Sequence, residues 1–154
     1  MWITPAAQVI GLVLVFFGWI ITNWQNNRRE TRKEGRSACD AIKKYILEIT
    51  VKGKKYYLER DGEISFEIKS ELELLEIELG RIPFFGVGQN STLMKCFISF
   101  SDALTDEDFE QKDAPKLAST DPKIQRIMRK RNSLLREVER QFKLQFLWCE
   151  NLVS

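Results

Sequence analysis

The chain contains no histidine. That absence removes the commonest general base near neutral pH and the commonest metal ligand together, and with them the Ser-His-Asp type of triad. Cysteine is sparse. Cys39, Cys96 and Cys149 are widely separated and show no C-x-x-C spacing, so neither a zinc site nor a redox pair is indicated. They read as small apolar core residues that remain thiols. An excess of one charge is missing as well: Lys plus Arg total 24 against 22 for Asp plus Glu. This near balance argues against a general nucleic-acid binder. No cofactor, no metal and no catalytic constellation is expected.

The most informative absence is local. Residues 2–24, WITPAAQVIGLVLVFFGWIITNW, carry no charged side chain, and as a helix they would span roughly 30 Å, the thickness of a hydrocarbon core. Pro5 falls in the first turn, where its missing N–H costs nothing. Trp2, Trp19 and Trp24 lie toward the two ends, the place for indoles at a membrane interface. A cleaved signal peptide would want a basic stretch before the apolar run and a small-x-small site after it, and both are lacking. Five basic residues follow instead: Arg28, Arg29, Arg32, Lys33 and Arg36. By the positive-inside rule the N-terminus faces outward and the remainder faces the cytoplasm, with the basic cluster against anionic headgroups. On one side of this segment the residues are mostly small: Thr4, Ala7, Gly11, Gly18 and Thr22, with Leu14 among them. Small residues on one face allow two membrane helices to approach closely, so self-association through this stripe is expected.

The rest of the 154 residues suffices for one small core. Ala38, Ile42, Tyr45, Ile49 and Tyr56 mark one helical face to about Leu58, with Gly53 as a weak point. Ile64, Ile68, Leu72, Leu75, Leu79 and Ile82 mark a second helix that Pro83 ends. Residues 54–69 also admit a hairpin turning at Asp61 and Gly62, with a later helix start at a Ser70/Glu73 capping box. The unbroken four-three spacing through Ile68 favours helix. The apolar linker at Phe84 and Phe85 reads as a plug for the bundle end, and its Gly86-x-Gly88 lacks the context of a phosphate cradle. A third helix starts at Ser91 or Thr92 and carries Leu93, Cys96, Phe97, Phe100 and Leu104. The acidic residues Asp102, Asp106, Glu107, Asp108, Glu110 and Asp113 lack the pattern of a calcium loop and read as a solvated loop. The fourth helix, capped by Thr120 or Asp121 before Pro122, carries Ile124, Met128, Leu135, Val138, Phe142 and Cys149.

The expected architecture is all-α: a transmembrane helix (1–24), a basic juxtamembrane stalk (25–37) and an antiparallel cytoplasmic four-helix bundle (38–154). The acidic second helix and the basic fourth are expected to pair within the bundle. Up-down-up-down order brings Trp148 back to the membrane surface, closer to Arg36 than to Tyr57. The form is common among small bacterial membrane proteins, which points to the inner membrane. A span and a helical surface suit a membrane-anchored interaction protein, an adaptor or regulatory subunit without catalytic activity. The expected partners are the bilayer, a second copy and a cytoplasmic protein, with no nucleic acid. The alternative is a membrane-active effector, of toxin or phage-defence type, that oligomerises through its transmembrane helix.

Overall fold

A computed structural model describes the backbone of residues 5–85, 91–106, 109–111 and 114–147, with side chains except at 5–9, 84 and 147. Among the described residues there are four α-helices and no strand: α1 (Pro5–Glu59), α2 (Gly62–Arg81), α3 (Thr92–Leu104) and α4 (Pro122–Leu147). The chain divides into two units, Met1–Arg36 and Ser37–Ser154.

In the first unit α1 is held by its own backbone ladder and by local side-chain bonds. Thr22 Oγ1 donates to the Gly18 carbonyl at 2.8 Å, and Thr31 Oγ1 to the Asn27 carbonyl at 2.9 Å. The Arg28 guanidinium lies 4.4 Å from the centre of the Trp24 ring, a cation–π contact.

The second unit is a helical bundle. Ser37–Glu59 of α1 turns Cys39, Ile42, Ile46, Ile49, Tyr56 and Tyr57 into the core. The helix does not break at Gly53. It stops at Arg60, whose φ of 59° is the left-handed conformation that terminates helices, and whose N–H donates to the Tyr56 carbonyl at 2.6 Å. Asp61 then caps α2, its Oδ1 accepting from the Glu63 N–H at 3.0 Å. Residues 54–69 are therefore helix, turn and helix, and the hairpin does not form. Ser70 and Glu73 lie inside α2. This helix buries Ile64, Ile68, Leu72, Leu75 and Leu79, the expected face, and ends before Pro83. A single 3-10 turn, Pro83–Phe85, packs Phe85 into the core against α2 and α4; the Phe84 side chain lies outside the described residues.

Ser91 caps α3 by accepting from the Met94 N–H at 3.2 Å. Asp121 caps α4 by accepting from the Lys123 N–H at 2.8 Å, one residue before the Pro122 position suited to a first turn. The buried face of α4 is Ile124, Ile127, Leu134, Val138 and Phe142, with Met128 and Leu135 at its edge. The expected stripe is thus rotated by one residue in its middle, and Cys149 lies outside the described residues.

Three contacts fix the order of the helices. Lys52 of α1 pairs with Glu67 at 2.9 Å and Glu71 at 2.5 Å on α2. Lys43 of α1 pairs with Glu139 near the end of α4, while Lys123 at its start lies 4.5 Å from the centre of the Tyr57 ring. Tyr57 also donates from its hydroxyl to the carbonyl of Leu104 at the end of α3, at 2.7 Å. Hence α2 and α4 run opposite to α1, and α3 runs with it. Lys43 and Lys52 are nine residues apart, about half a turn on the helical wheel. One reaches α4 and the other α2, so those two helices flank α1 on opposite sides.

Candidate functional site

The first candidate surface is the N-terminal part of α1. From Ile10 to Trp24 every described side chain is exposed, including Ile10 at 60 %, Leu12 and Val15 at 71 % and Trp19 at 63 %. Contiguous exposed apolar surface of this kind marks contact with lipid or with another chain. Of the small-residue stripe, Gly11 and Gly18 have open space where a Cβ would project, and Thr22 faces solvent with its hydroxyl bonded to its own helix. Thr4 and the Ala7 side chain lie outside the described residues. Among the described residues no helix is long and apolar enough to cross a membrane. Ile10 to Trp24 is fifteen residues, about 22 Å of helix, and the residues that would complete the expected 2–24 segment fall outside the described side chains. Arg28, Arg29, Arg32, Lys33 and Arg36 follow on α1 as the sequence implies. Trp148, and with it the expected comparison of its distances to Arg36 and Tyr57, lies outside the described residues.

The second candidate is the aromatic and charged cluster where α1 ends. Tyr56, Tyr57 and Phe109 form mutual ring contacts, with centroids 4.8 to 6.5 Å apart. The Arg60 guanidinium covers the two tyrosines at 5.5 and 5.0 Å, and its Nε donates to the Pro115 carbonyl at 3.2 Å. These contacts offset the steric cost of a left-handed arginine, about 1 kcal/mol. The loop between α3 and α4 is anchored here rather than simply solvated. Asp106 pairs with Lys123, Glu110 pairs with Lys69 at 2.5 Å, and the Glu110 N–H donates to the Tyr56 hydroxyl at 2.8 Å. The Leu117 N–H donates to the Tyr57 carbonyl at 2.9 Å. Glu107, Asp108 and Asp113 lie outside the described residues. Asp102 lies in α3 rather than in the loop, and the partners of Glu110 and Asp106, Lys69 and Lys123, are distant in sequence.

Burial, and then the Asp106 carboxylate, push the Tyr57 hydroxyl well above its ordinary pKa, so it stays a neutral donor to Leu104. Burial likewise pushes the Cys96 thiol up, away from a reactive thiolate. No group of three or more potential metal ligands occurs among the described residues.

The third candidate is a groove of about 440 Å³ between α1 and α2, lined by Ala38, Ala41, Tyr45, Leu74, Glu78 and Ile82. Two alanines on α1 leave the space. Its one carboxylate, Glu78, is engaged by Arg81 at 2.6 Å, so the groove offers an apolar face and no acid–base pair.

Helices α2 and α4 also carry charged faces. Among the described residues no ion pair joins α2 to α4, contrary to the expected internal pairing. The physical reason is their placement: α1 stands between them, and its own lysines serve each. Glu137 of α4 is paired on its own helix by Arg140 at 2.6 Å.

No family model, no curated protein and no solved structure matches this chain.

Proposed function

We propose that this chain is a membrane-anchored helical interaction protein, an adaptor or regulatory subunit without a reaction of its own. The observation that carries the reading is the run of exposed apolar side chains on α1 from Ile10 to Trp24, followed on the same helix by five basic residues. Nine of those side chains are Ile, Leu, Val or Phe. Each gains roughly 0.3–0.6 kcal/mol on insertion at the centre of a bilayer, about 3–5 kcal/mol together. The uncharged residues before Ile10 extend the run to the length of a bilayer core. The basic residues beyond Trp24 orient it with the N-terminus outside and the bundle in the cytoplasm, at the inner membrane of a bacterium. A bundle with a structural tyrosine and an apolar groove supports a binding role.

A second reading, a membrane-active effector that oligomerises through Gly11 and Gly18, draws on the open space at both glycines. Flotation of membranes in a density gradient after alkaline carbonate treatment tests the anchor. The intact chain should float with lipid, and its recovery in the soluble fraction would remove the anchor from the account. Rapid depolarisation on expression would favour the effector, and harmless accumulation with a co-purifying protein the adaptor.

A further inference from the structure

The bundle carries two charged faces that its own fold leaves unmatched. Helix α2 has six glutamates against Lys69 and Arg81. Glu67 and Glu71 are taken by Lys52 and Glu78 by Arg81, which leaves Glu63, Glu73 and Glu76 without an ion-pair partner among the described residues. They surround exposed apolar side chains: Phe66, which is 75 % exposed, Leu74 and Ile77. At 100° per residue Phe66, Glu73 and Ile77 lie opposite the buried Ile68 and Leu75. On α4 the face opposite Val138 presents Arg126, Arg129, Arg136, Arg140 and Lys143, all exposed, with Leu144 beside them. Among the described residues only Arg140 of these is paired with a carboxylate, Glu137.

We propose that these faces join one copy of the chain to the next, head to tail, the acidic and apolar face of α2 seating on the basic face of α4 of a second copy. Charge complementarity identifies the occupant, because the chain supplies both halves of the match and cannot close it internally: α2 and α4 flank α1 on opposite sides. Height agrees as well. The Lys52 pairs set the level of α2 against α1, and the Lys43 and Lys123 contacts set that of α4. By that register Glu76 stands at about the height of Arg136, and Glu73 between Arg129 and Arg136. Bundles set side by side without a shift along α1 therefore bring opposite charges together. Such a heterologous contact leaves an acidic face at one end of each row and a basic face at the other, so rows grow or close into rings.

Charge reversal separates this from every other use of the faces. Glu73, Glu76, Arg129 and Arg136 take part in no ion pair of the described residues, so their reversal leaves the fold's own pairs intact. In sedimentation of the full chain in nonionic detergent, Glu73→Lys with Glu76→Lys should weaken self-association at least about tenfold, and Arg129→Glu with Arg136→Glu equally. All four changes in one chain should restore it, since the two faces have then exchanged sign. A mixture of the two reversed chains should assemble again, the two chains alternating along each row. Circular dichroism confirms that each variant folds. A wild-type chain that stays monomeric, or a fourfold variant that associates no better than either pair, overturns the proposal. It is equally overturned if Arg129→Glu with Arg136→Glu abolishes binding to anionic vesicles or RNA while self-association is unchanged. Membrane flotation of the same variants reads the anchor separately, and these changes should not alter it.

Discussion

Replacing Gly53 by alanine should destabilise the bundle, although the same change in an exposed helix would stabilise it. A glycine in a helix interior costs about 0.8–1.0 kcal/mol relative to alanine. At Gly53, however, an added Cβ would overlap Leu104 Cδ2, and Leu104 has no exposed surface into which to swing. The new methyl either forces Leu104 off its rotamer or shifts α3 against α1. Overpacking of this kind costs about 1–3 kcal/mol.

Gly80, near the end of α2, supplies the control, because nothing lies within 4 Å of the Cβ position there. The propensity gain is common in kind to both substitutions, so their difference reports the packing cost. Urea unfolding of the full chain in dilute detergent, followed by circular dichroism, should place the midpoint of Gly80→Ala at or above that of the wild type. Gly53→Ala should fall below Gly80→Ala by roughly 0.5–1.5 M, given a slope of about 2 kcal/mol per molar urea. Equal midpoints for the two variants would refute the close approach of α1 and α3 at this position.

Tyr57→Phe removes the donor that satisfies the last carbonyl of α3, at Leu104, and should cost about 1–3 kcal/mol in the same unfolding assay; an unchanged midpoint would remove that hydroxyl from the account of how α1 and α3 are joined. Leu14→Arg places a charge in the middle of the exposed apolar run at a cost of roughly 3 kcal/mol, comparable with the whole preference for the bilayer, so the chain should lose flotation with lipid while Val51→Arg, on the exposed side of α1 in the bundle, should not. Glu137, 7 % exposed, has its carboxyl held below the usual glutamate value first by the Arg140 hydrogen bond and also by Gln141. A lowered folded pKa contributes stability that is present above the unfolded value and is lost as pH falls through the folded one. Stability should therefore drop on acidification below about pH 4.3, and Glu137→Gln should flatten that part of the profile; an equally steep profile in Glu137→Gln would assign the acid sensitivity elsewhere.

Much of the bundle was legible because helix ends are written locally. Asp61, Ser91 and Asp121 accept from N–H groups two or three residues on, and Pro83 stops α2, so short windows of sequence located these boundaries. Interior faces were harder. In α4, Met128 and Leu135 lie one residue beyond Ile127 and Leu134, and both pairs keep a seven-residue spacing. Periodicity alone could not choose between them; contact with α3 and the core did. Gly53 read as a weak point because propensity is a property of one helix, whereas its use, admitting Leu104, belongs to two. The ion pairs of Asp106 and Glu110 in the acidic loop were not legible for a similar reason, since Lys123 and Lys69 reach them only in the folded chain.

The same distinction explains why the charges of this chain divide into two kinds. Among the described residues the ion pairs between elements use α1 or the loop after α3: Lys43 with Glu139, Lys52 with Glu67 and Glu71, Lys69 with Glu110, and Lys123 with Asp106. The more exposed of these, Lys52 with Glu67 and Lys69 with Glu110, contribute only about 0–1 kcal/mol each, whereas those of Lys43 and Lys123 are partly buried; all of them select helix neighbours and loop position around the apolar face shared by the four helices. Glu73 and Glu76 of α2 and Arg129 and Arg136 of α4 do neither. Changing these four leaves both the core and the internal pairs untouched, so a large effect on association would be an effect on recognition. That separation makes the outer faces of α2 and α4, rather than the groove or the tyrosine cluster, the place where partner choice can be altered without loss of the fold.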